Sequence, residues 1–265
     1  MFDDRTYIMG ILNITPDSFS DGGNYSDADA ALEKAITMLE EGADIIDVGG
    51  ESTRPNAQYV SLDEELARII PVIEKLSANI DVPISVDTYK AAVAKEAIKA
   101  GATIVNDVWG LKFDVDMAKV VAQAEIPVII MHNQQGTEYK DFLQDVFAAL
   151  KESMEIALGA GIKKEHIIID PGFGFGKTTN QNLYLLKQLH ILQSLGVPIL
   201  VGTSRKSMIG NILDLPANDR IEGTAATCAF AITKGASIIR VHDVKEMARI
   251  AKMTDAIMRS DLEGK

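Results

Sequence analysis

The chain alternates short runs rich in β-branched residues with longer amphipathic stretches, and this alternation occurs eight times in 265 residues. The first strand is predicted at residues 7–14, and the other seven runs are ADIIDVGG, PISVDT, TIVNDV, PVIIMHN, IIIDPG, PILVGTS and SIIRVHDV. Helices are predicted at 27–41, 62–77, 90–99, 115–124, 142–158 and 180–192, in a broken region ending near 233, and at 244–258. This pattern is typical of a (β/α)8 TIM barrel, and without a linker-like segment it predicts one domain over residues 1–265.

Polar residues close nearly every predicted strand. In a TIM barrel the carboxyl ends of all eight strands meet on one face, which carries the active site. An open, doubly wound α/β sheet is the competing architecture, but its G-x-G-x-x-G fingerprint does not follow the first strand. The barrel therefore predicts one site at the C-terminal strand ends, formed by Asn13, Asp47, Asp87, Asn106, His132, Asp170, Ser204, Arg240 and His242.

Composition narrows the classes of partner. The net charge is −12, from 26 basic and 38 acidic residues, which disfavours nucleic acid and anionic membranes because these recruit clustered Lys and Arg. The single cysteine, Cys228, lies in the small-residue run TAATCAFA and is expected to be a packed core thiol. The N-terminus lacks a signal-peptide profile and no apolar run approaches about 18 residues, so a cytoplasmic location is expected.

The segment IIIDPGFGFGKT, residues 167–178, superficially resembles a phosphate-binding loop. The Walker pattern needs four residues between its first Gly and its Gly-Lys pair. Only three residues separate Gly172 from Gly176, so the pattern fails. We interpret the segment as a buried strand that presents Asp170 at its end, with Lys177 at the surface or at a helix start.

The carboxylates at the strand ends have a simpler alternative role. Asp87 and Asp170 each precede a predicted helix, and Asp is a good N-cap. The last two strand ends carry the cations Lys206 and Arg240, where TIM barrels often bind a phosphate group. Arg205 is expected in a surface salt bridge, and Ser204 lacks the second Gly of a nucleophile elbow.

Two β–α connections are unusually long. They span residues 13–27 and 49–61, and they follow adjacent strands on the predicted active-site face. Long connections in a compact domain are usually functional or disordered. Their adjacency favours a pair of lids over the site.

Seven segments carry a family resemblance. LNITPDSFSDGG, DVGGESTRP, SVDTYK, IVNDVWG, IIDPGFGFGKT, GTSRKS and IRVHDV, in this order, resemble dihydropteroate synthase over essentially the whole chain. The resemblance implies a TIM barrel that joins 6-hydroxymethyl-7,8-dihydropterin pyrophosphate to p-aminobenzoate, giving 7,8-dihydropteroate and pyrophosphate in folate biosynthesis. It also implies a sulfonamide target and a homodimer.

The resemblance also assigns roles to individual residues. The implied catalytic residues are Asp87, Asp170 and Lys206. The implied pterin pocket is formed by Asp87, Asn106, Met131, Asp170, Phe173 and Lys206. Pyrophosphate would be bound by Asn13, Thr53, Arg240 and His242, with Asn13 also ligating Mg²⁺. The p-aminobenzoate pocket would be formed by Phe19, Thr53, Arg54, Pro55, Ser204 and Lys206.

Two other functions remain open at this point. A pterin-binding methyltransferase barrel would share the fold and a carboxylate–amide pocket, but it would not explain the phosphate-binding cations or the two lid motifs. A non-catalytic pterin-binding protein would differ in class, and the seven intact motifs argue against it.

Overall fold

Eight parallel β-strands form the centre of the protein in the computed structural model. The structure describes residues 5–14, 24–51 and 59–261, with the side chains of 24–26 left out. The strands are β1 (Tyr7–Asn13), β2 (Ile45–Gly49), β3 (Ile84–Asp87), β4 (Ile104–Asp107), β5 (Val128–Met131), β6 (Ile167–Asp170), β7 (Leu200–Val201) and β8 (Ile238–Val241).

Helices alternate with these strands. They are α1 (Asn24–Glu40), α2 (Leu62–Ser77), α3 (Ala91–Ala100), α4 (Met117–Ala124), α5 (Phe142–Gly159), α6 (Thr179–Lys187), α7 (Ser207–Leu213), α8 (Ile221–Thr233) and α9 (Val244–Met258). Short 3-10 helices cover Lys164–His166 and Leu189–Leu195. In the described part of the chain, no helix combines the length and the apolar character needed to cross a bilayer.

The strand order is β6-β5-β4-β3-β2-β1-β8-β7, and every pairing is parallel. The remaining edges, β6 and the segment leading into β7, meet at an Ile169–Ile199 bridge. The Ile169 amide also donates to the carbonyl of Pro198 at 3.0 Å. These contacts close the sheet into a single (β/α)8 barrel, as the sequence predicts.

The core has two layers because strand side chains alternate between the two faces of the sheet. One layer packs the outer strand face against the helices and includes Ile8, Leu12, Val86 and Leu150. The other fills the barrel interior with Met9, Ile45, Ile104, Ile129, Ile168, Leu200 and Ile238. The interior layer is a solid apolar plug, so a ligand can enter the barrel only beyond it, towards the strand ends.

Most predicted helices agree with the structure to within about three residues. The exception is the helix predicted at 180–192, which is replaced by α6 and the 3-10 helix Leu189–Leu195. α6 begins at a capping box, in which Thr178 Oγ1 accepts from the Gln181 amide and Gln181 Oε1 accepts from the Thr178 amide. Gly196, with φ of 68°, ends the 3-10 segment in the left-handed conformation.

Candidate active site

The strand ends above the apolar plug carry buried polar side chains. Asp47, Asp87, Asn106 and Asp170 are each no more than 6% exposed. The register pairs Asp87 with Asn106 on neighbouring strands and Met131 with Asp170. Paired residues on parallel strands point to the same side of the sheet, as do residues two positions apart on one strand. The pairings Asp47–Ser85 and Asn106–Ile129 complete the connection, so Asp47, Asp87, Asn106 and Asp170 all face one opening.

Arg240 joins two of the carboxylates. Its Nε donates to Asp47 Oδ2 and its Nη2 donates to Asp87 Oδ2, both at 2.6 Å. Asp47 Oδ2 also accepts from Asn106 Nδ2 at 3.3 Å. Burial alone would lower the pKa of Arg240, but the two carboxylates outweigh it and raise this pKa above its ordinary value. The guanidinium is therefore a permanent positive charge on the floor of the site.

Asp87 belongs to this network and does not cap a helix. Burial raises the pKa of its carboxyl group well above the ordinary value, and Arg240 opposes that rise. The following helix, α3, has Lys90 at its N-cap without a side-chain cap, and the Ala91 amide donates instead to Asp114 Oδ2 at 2.8 Å. The N-cap alternative for Asp87 is therefore wrong.

Asp170 begins a tight turn. Its Oδ1 accepts from the Gly172 amide at 2.7 Å, while burial raises the pKa of the carboxyl group. Gly172 has a φ of 72°, and a Cβ there would overlap the carbonyl oxygen of His132. Glycine is needed at this position both for its backbone conformation and for the close approach of the neighbouring loop. Because α6 is capped by Thr178, Asp170 is not its cap either.

Contrary to the prediction from the sequence, Lys177 does not lie at the surface or at a helix start. It is only 8% exposed, and its Nζ donates to the carbonyl oxygens of Gly172 and Phe175, each at 2.9 Å. Nζ also lies 2.8 Å from His132 Nδ1. Lys177 is thus a buried cross-link within the turn after β6, and neither a surface residue nor a helix start.

A pocket opens where these groups converge. Phe175 lies at its rim, and its ring is 4.4 Å from Lys206 Nζ, which is within the range of a cation–π contact. Phe175, Val108 and Gly202 are not among the residues predicted from the sequence. The alternation of Phe and Gly after Asp170 is a signal that could have identified Phe175, whereas no pattern marks Val108 or Gly202. The lining is Asn106, Val108, Met131, Asp170, Phe173, Phe175, Gly202, Lys206 and Arg240.

The ends of β7 and β8 are tied together beside the pocket. Ser204 Oγ lies 3.0 Å from His242 Nδ1 and accepts from the His242 amide at 3.2 Å. Arg205 pairs with Asp243, as expected for a surface salt bridge. Arg220 was not singled out from the sequence; its guanidinium donates to the carbonyl oxygens of Arg205 and Lys206 at 2.9 and 3.3 Å.

Asn13 ends β1 and is half-buried. A Cβ on Gly49, its register partner, would lie 3.8 Å from both Asn13 Oδ1 and Asp87 Oδ2, so these two oxygens face the same space. The other predicted residues on this side, Phe19, Thr53, Arg54 and Pro55, lie outside the described residues, as do residues 15–23 and 52–58 of the two predicted lids.

The segment 111–113 belongs to an ordered turn after β4. Asp107 Oδ1 accepts from the Trp109 amide and Asp107 Oδ2 from the Leu111 amide, both at 2.8 Å. Leu111 is buried with a φ of 67°. Phe113 packs edge-on against Tyr89, with ring centroids 4.7 Å apart. The turn thus supports the loop after β4 beside Asn106.

The described residues do not form a complete Mg²⁺ site by themselves, so a bound ligand would have to supply further oxygen atoms. Among the described residues, no group of three or more His, Cys, Asp or Glu is arranged to hold a metal ion. Asn13 supplies one amide oxygen, a hard donor of the kind that Mg²⁺ accepts. Mg²⁺ commonly keeps waters and takes phosphate oxygens as its other ligands, so one protein oxygen beside the residues predicted to bind pyrophosphate is compatible with this ion.

Comparison with known proteins decides the family. A sequence model described as "Pterin binding enzyme" matches residues 9–242. A dihydropteroate synthase of Clostridium beijerinckii is 56% identical over 257 residues, covering 97% of this chain and 96% of that protein. The chain belongs to the dihydropteroate synthase family. It is therefore a transferase, and the resemblance and the fold predicted from the sequence are both confirmed.

Solved structures of dihydropteroate synthases share the whole fold. One from Clostridium difficile, determined in the presence of pteroic acid, has a TM-score of 0.95 and 56% identity and covers 98% of this chain and 100% of that chain. One from Yersinia pestis, described as a sulfonamide drug complex, has a TM-score of 0.91 and 44% identity, with coverage of 97% and 95%.

Proposed function

We propose that the chain condenses 6-hydroxymethyl-7,8-dihydropterin pyrophosphate with p-aminobenzoate, giving 7,8-dihydropteroate and pyrophosphate, as a step of folate biosynthesis. The observation that carries this proposal is the convergence of Asn106, Asp170, Lys206 and Arg240 on one pocket above the apolar plug. Such a pocket combines acceptors and donors in a shielded space. A flat heterocycle with an amide–guanidine edge needs that combination, because a ligand lacking it would leave buried polar groups unpaired.

The proposed pterin site uses the floor and walls of this pocket. Asp170 and Asn106 would bind the polar edge of the ring, and Met131 and Phe173 would contact its faces. Both apolar residues are buried and line the pocket. Lys206 lies over the Phe175 ring at the rim, from where its ammonium group can reach a ring oxygen or nitrogen.

The pyrophosphate is assigned to the cations at the ends of β7 and β8. His242 sits beside Ser204 at the rim, which supports its place in this site. Arg240 lies deeper and shares its charge with Asp47 and Asp87, so its assignment to pyrophosphate stays a prediction. Asn13 Oδ1 would hold Mg²⁺, which when bound would neutralise charge on the pyrophosphate oxygens. Thr53 completes the prediction but lies outside the described residues.

The proposed reaction is dissociative. The bond between the methylene carbon and the pyrophosphate oxygen breaks, and its electron pair leaves with pyrophosphate. Asp87 and Asp170 would stabilise the positive charge left on the pterin electrostatically. The p-aminobenzoate nitrogen then forms the new C–N bond and releases a proton.

The second substrate is proposed to bind at the outer rim. Ser204 and Lys206 supply the described part of this site, and Arg220 supports it by holding the Lys206 carbonyl. Phe19, Thr53, Arg54 and Pro55 are predicted to complete it from the two long loops. A sulfonamide would compete for the same place, and sulfonamide inhibition of this chain is proposed on that basis.

A homodimer is also proposed. Several large apolar side chains on the late helices are exposed: Tyr184, Ile212, Leu213, Phe230, Met253 and Ile257. If these side chains form one apolar face, that face would favour association between two copies of the chain. Sedimentation of the purified chain at micromolar concentration tests this part, and a monomer there would contradict it.

The direct test combines the protein with Mg²⁺, the pterin pyrophosphate and p-aminobenzoate. Pyrophosphate release that depends on p-aminobenzoate supports the synthase reaction. Release without that dependence would indicate hydrolysis, and no release would favour a non-catalytic pterin-binding protein.

A variant separates catalysis from binding. Asp170→Asn keeps the size of the side chain but removes the negative charge proposed to stabilise the pterin cation. The loss in kcat, about 100-fold or more, should therefore exceed the loss in pterin affinity. Equal losses in rate and in affinity would contradict the electrostatic role of Asp170.

A further inference from the structure

Asp47 lies on the floor of the pocket and has no role in the proposed reaction. Its side chain is fully buried, with 0% exposure. One oxygen, Oδ2, accepts from both Arg240 Nε at 2.6 Å and Asn106 Nδ2 at 3.3 Å. Asp47 therefore contacts two residues that line the pocket without lining it itself.

The contact with Asp47 determines how the Asn106 amide is turned. A carboxylate oxygen can only accept hydrogen bonds, whereas an amide has a donor end and an acceptor end. Turning the Asn106 amide by half a turn would set its Oδ1 against Asp47 Oδ2, two acceptors in a buried place. The 3.3 Å separation is long for a strong hydrogen bond. It is still short enough to decide the orientation, because Asp47 Oδ2 attracts Asn106 Nδ2 and would repel Asn106 Oδ1.

We propose that Asp47 is a specificity-determining positioning residue, which holds the Asn106 amide in the orientation that keeps its carbonyl oxygen away from Asp47 and available to the ligand. One N–H of Asn106 Nδ2 donates to Asp47, and Asn106 Oδ1 lies on the other arm of the same planar amide. The Arg240 contact reinforces this arrangement, because it fixes the Asp47 carboxylate between two donors. Asn106 then selects a ring that presents an N–H group.

This inference rests on the proposed function, since it takes the ligand of the pocket to be a reduced pterin. Such a ring carries N–H donors on its lactam nitrogen, on its exocyclic amino group and on its reduced ring nitrogen, and the last two can each be replaced in an analogue. A fixed acceptor binds one of them and is left unpaired by an analogue that lacks it. Asp47 would therefore affect the ratio between the affinity for the reduced pterin and the affinity for an analogue that lacks this N–H group, and not only the affinity for the pterin.

The experiment measures discrimination between ligands. Dissociation constants are determined by calorimetry for 7,8-dihydropterin, for the analogue with hydrogen in place of the amino group, and for the analogue with a methylene in place of the reduced ring N–H. Asn106→Ala identifies which N–H group Asn106 binds, because discrimination against that analogue falls in this variant. A fall of about fivefold or more is expected when a buried acceptor no longer distinguishes the two ligands.

Two substitutions of Asp47 then form a matched pair. Asp47→Val has a similar volume and suits a strand, but it offers no acceptor. Asp47→Asn keeps an oxygen that can accept from both Arg240 and Asn106. Discrimination should fall in Asp47→Val to the level of Asn106→Ala, and Asp47→Asn should retain most of it. Thermal unfolding verifies that each variant is folded. If one is not, Asp47→Ser replaces Asp47→Asn as the variant with an acceptor, or Asp47→Ala replaces Asp47→Val as the variant without one.

A double variant tests whether Asp47 acts through Asn106. In the Asn106→Ala background, adding Asp47→Val should change the affinity ratio no further. Full discrimination in Asp47→Val would overturn the proposal, as would equal losses in Asp47→Val and Asp47→Asn, which would implicate charge instead of orientation. Unchanged discrimination in Asn106→Ala for both analogues would overturn it too. Failure of the unsubstituted protein to bind 7,8-dihydropterin would instead refute the proposed function.

Discussion

Lys177→Met should change how the stability of the protein depends on pH. The ammonium group of Lys177 is buried in the turn after β6 and contacts two carbonyl oxygens and His132. Burial lowers the pKa of Lys177 from 10.5 to about 7, with Asp170 opposing this shift. Burial and the nearby charge of Lys177 lower the pKa of His132 to about 3, so this ring stays neutral over the same pH range.

The sign of the effect follows from proton counting. Between pH 7 and 10.5 the unfolded chain holds a proton on Lys177 that the folded chain has released. The unfolded state then binds more protons, so the free energy of unfolding rises with pH at up to about 1.4 kcal/mol per pH unit. The contribution is present above the unfolded pKa and is lost as pH falls from 10.5 towards 7; below 7 both states are charged and the slope disappears.

The expected magnitude is measurable. Across roughly two pH units, from about 7.5 to 9.5, the contribution of Lys177 to the unfolding free energy changes by up to about 2.5 kcal/mol. This is an upper limit, because the hydrogen bonds to the Gly172 and Phe175 carbonyls favour the charged form. The methionine side chain cannot titrate, so the free energy of unfolding of Lys177→Met should not show this rise with pH. The variant also loses the two hydrogen bonds, which lowers its free energy of unfolding by the same amount at every pH.

The assay is urea unfolding at a series of pH values, followed by circular dichroism. Lys187→Met is the matched control, because Lys187 is an exposed lysine near the end of α6. The difference between the unsubstituted protein and Lys177→Met should widen as the pH rises, while Lys187→Met should run parallel to the unsubstituted protein. Parallel curves for Lys177→Met would refute the view that a neutral Lys177 is favoured in the folded state.

Two further substitutions probe the loops around the site. Gly172→Ala should lower the free energy of unfolding by about 3 kcal/mol or more, because it combines positive-φ strain with a backbone clash. Gly136→Ala, at a φ of 75° with nothing near its Cβ, should cost only about 1 kcal/mol, and equal costs in urea titrations would exclude the clash. Arg220→Met should release the Lys206 carbonyl and lower kcat/KM about tenfold or more, and Arg220→Lys should restore part of this loss. Unchanged steady-state kinetics in Arg220→Met would show that Arg220 does not support the site.

The fold could be predicted from the sequence because its signal is local and repeated. Each strand is a short β-branched run and each helix has a polar and an apolar face, so α9 was predicted at the observed Val244–Met258. Hydrophobic spacing could not separate α6 from the 3-10 helix Leu189–Leu195. Both bury leucines, and the break depends on where backbone hydrogen bonds shift from one carbonyl to the next.

The sequence predicts several of the residues that line the pocket, but not the contacts between the residues around it. Asn106 and Asp170 reach the same pocket because strand alternation fixes the side they face. The partner of Asp47 is 193 positions away at Arg240, and no local pattern identifies it. Lys177 was misjudged for a similar reason, since an ammonium group belongs at the surface unless distant acceptors such as His132 surround it.

The pairing of charges on the pocket floor is compatible with the proposed reaction, in which one site serves a departing anion and a developing cation. Isolated buried carboxylates would take up protons, and burial does raise the pKa of both Asp87 and Asp170. Arg240 offsets this for Asp87 by holding it at 2.6 Å, and the Gly172 amide does so for Asp170 at 2.7 Å. The pKa of each carboxyl group stays above its ordinary value all the same, so these contacts orient the two groups and favour their charged form without restoring their ordinary acidity. Because these partners are fixed by strand and turn, the charges are oriented before a ligand arrives, which is the condition for electrostatic stabilisation without reorganisation.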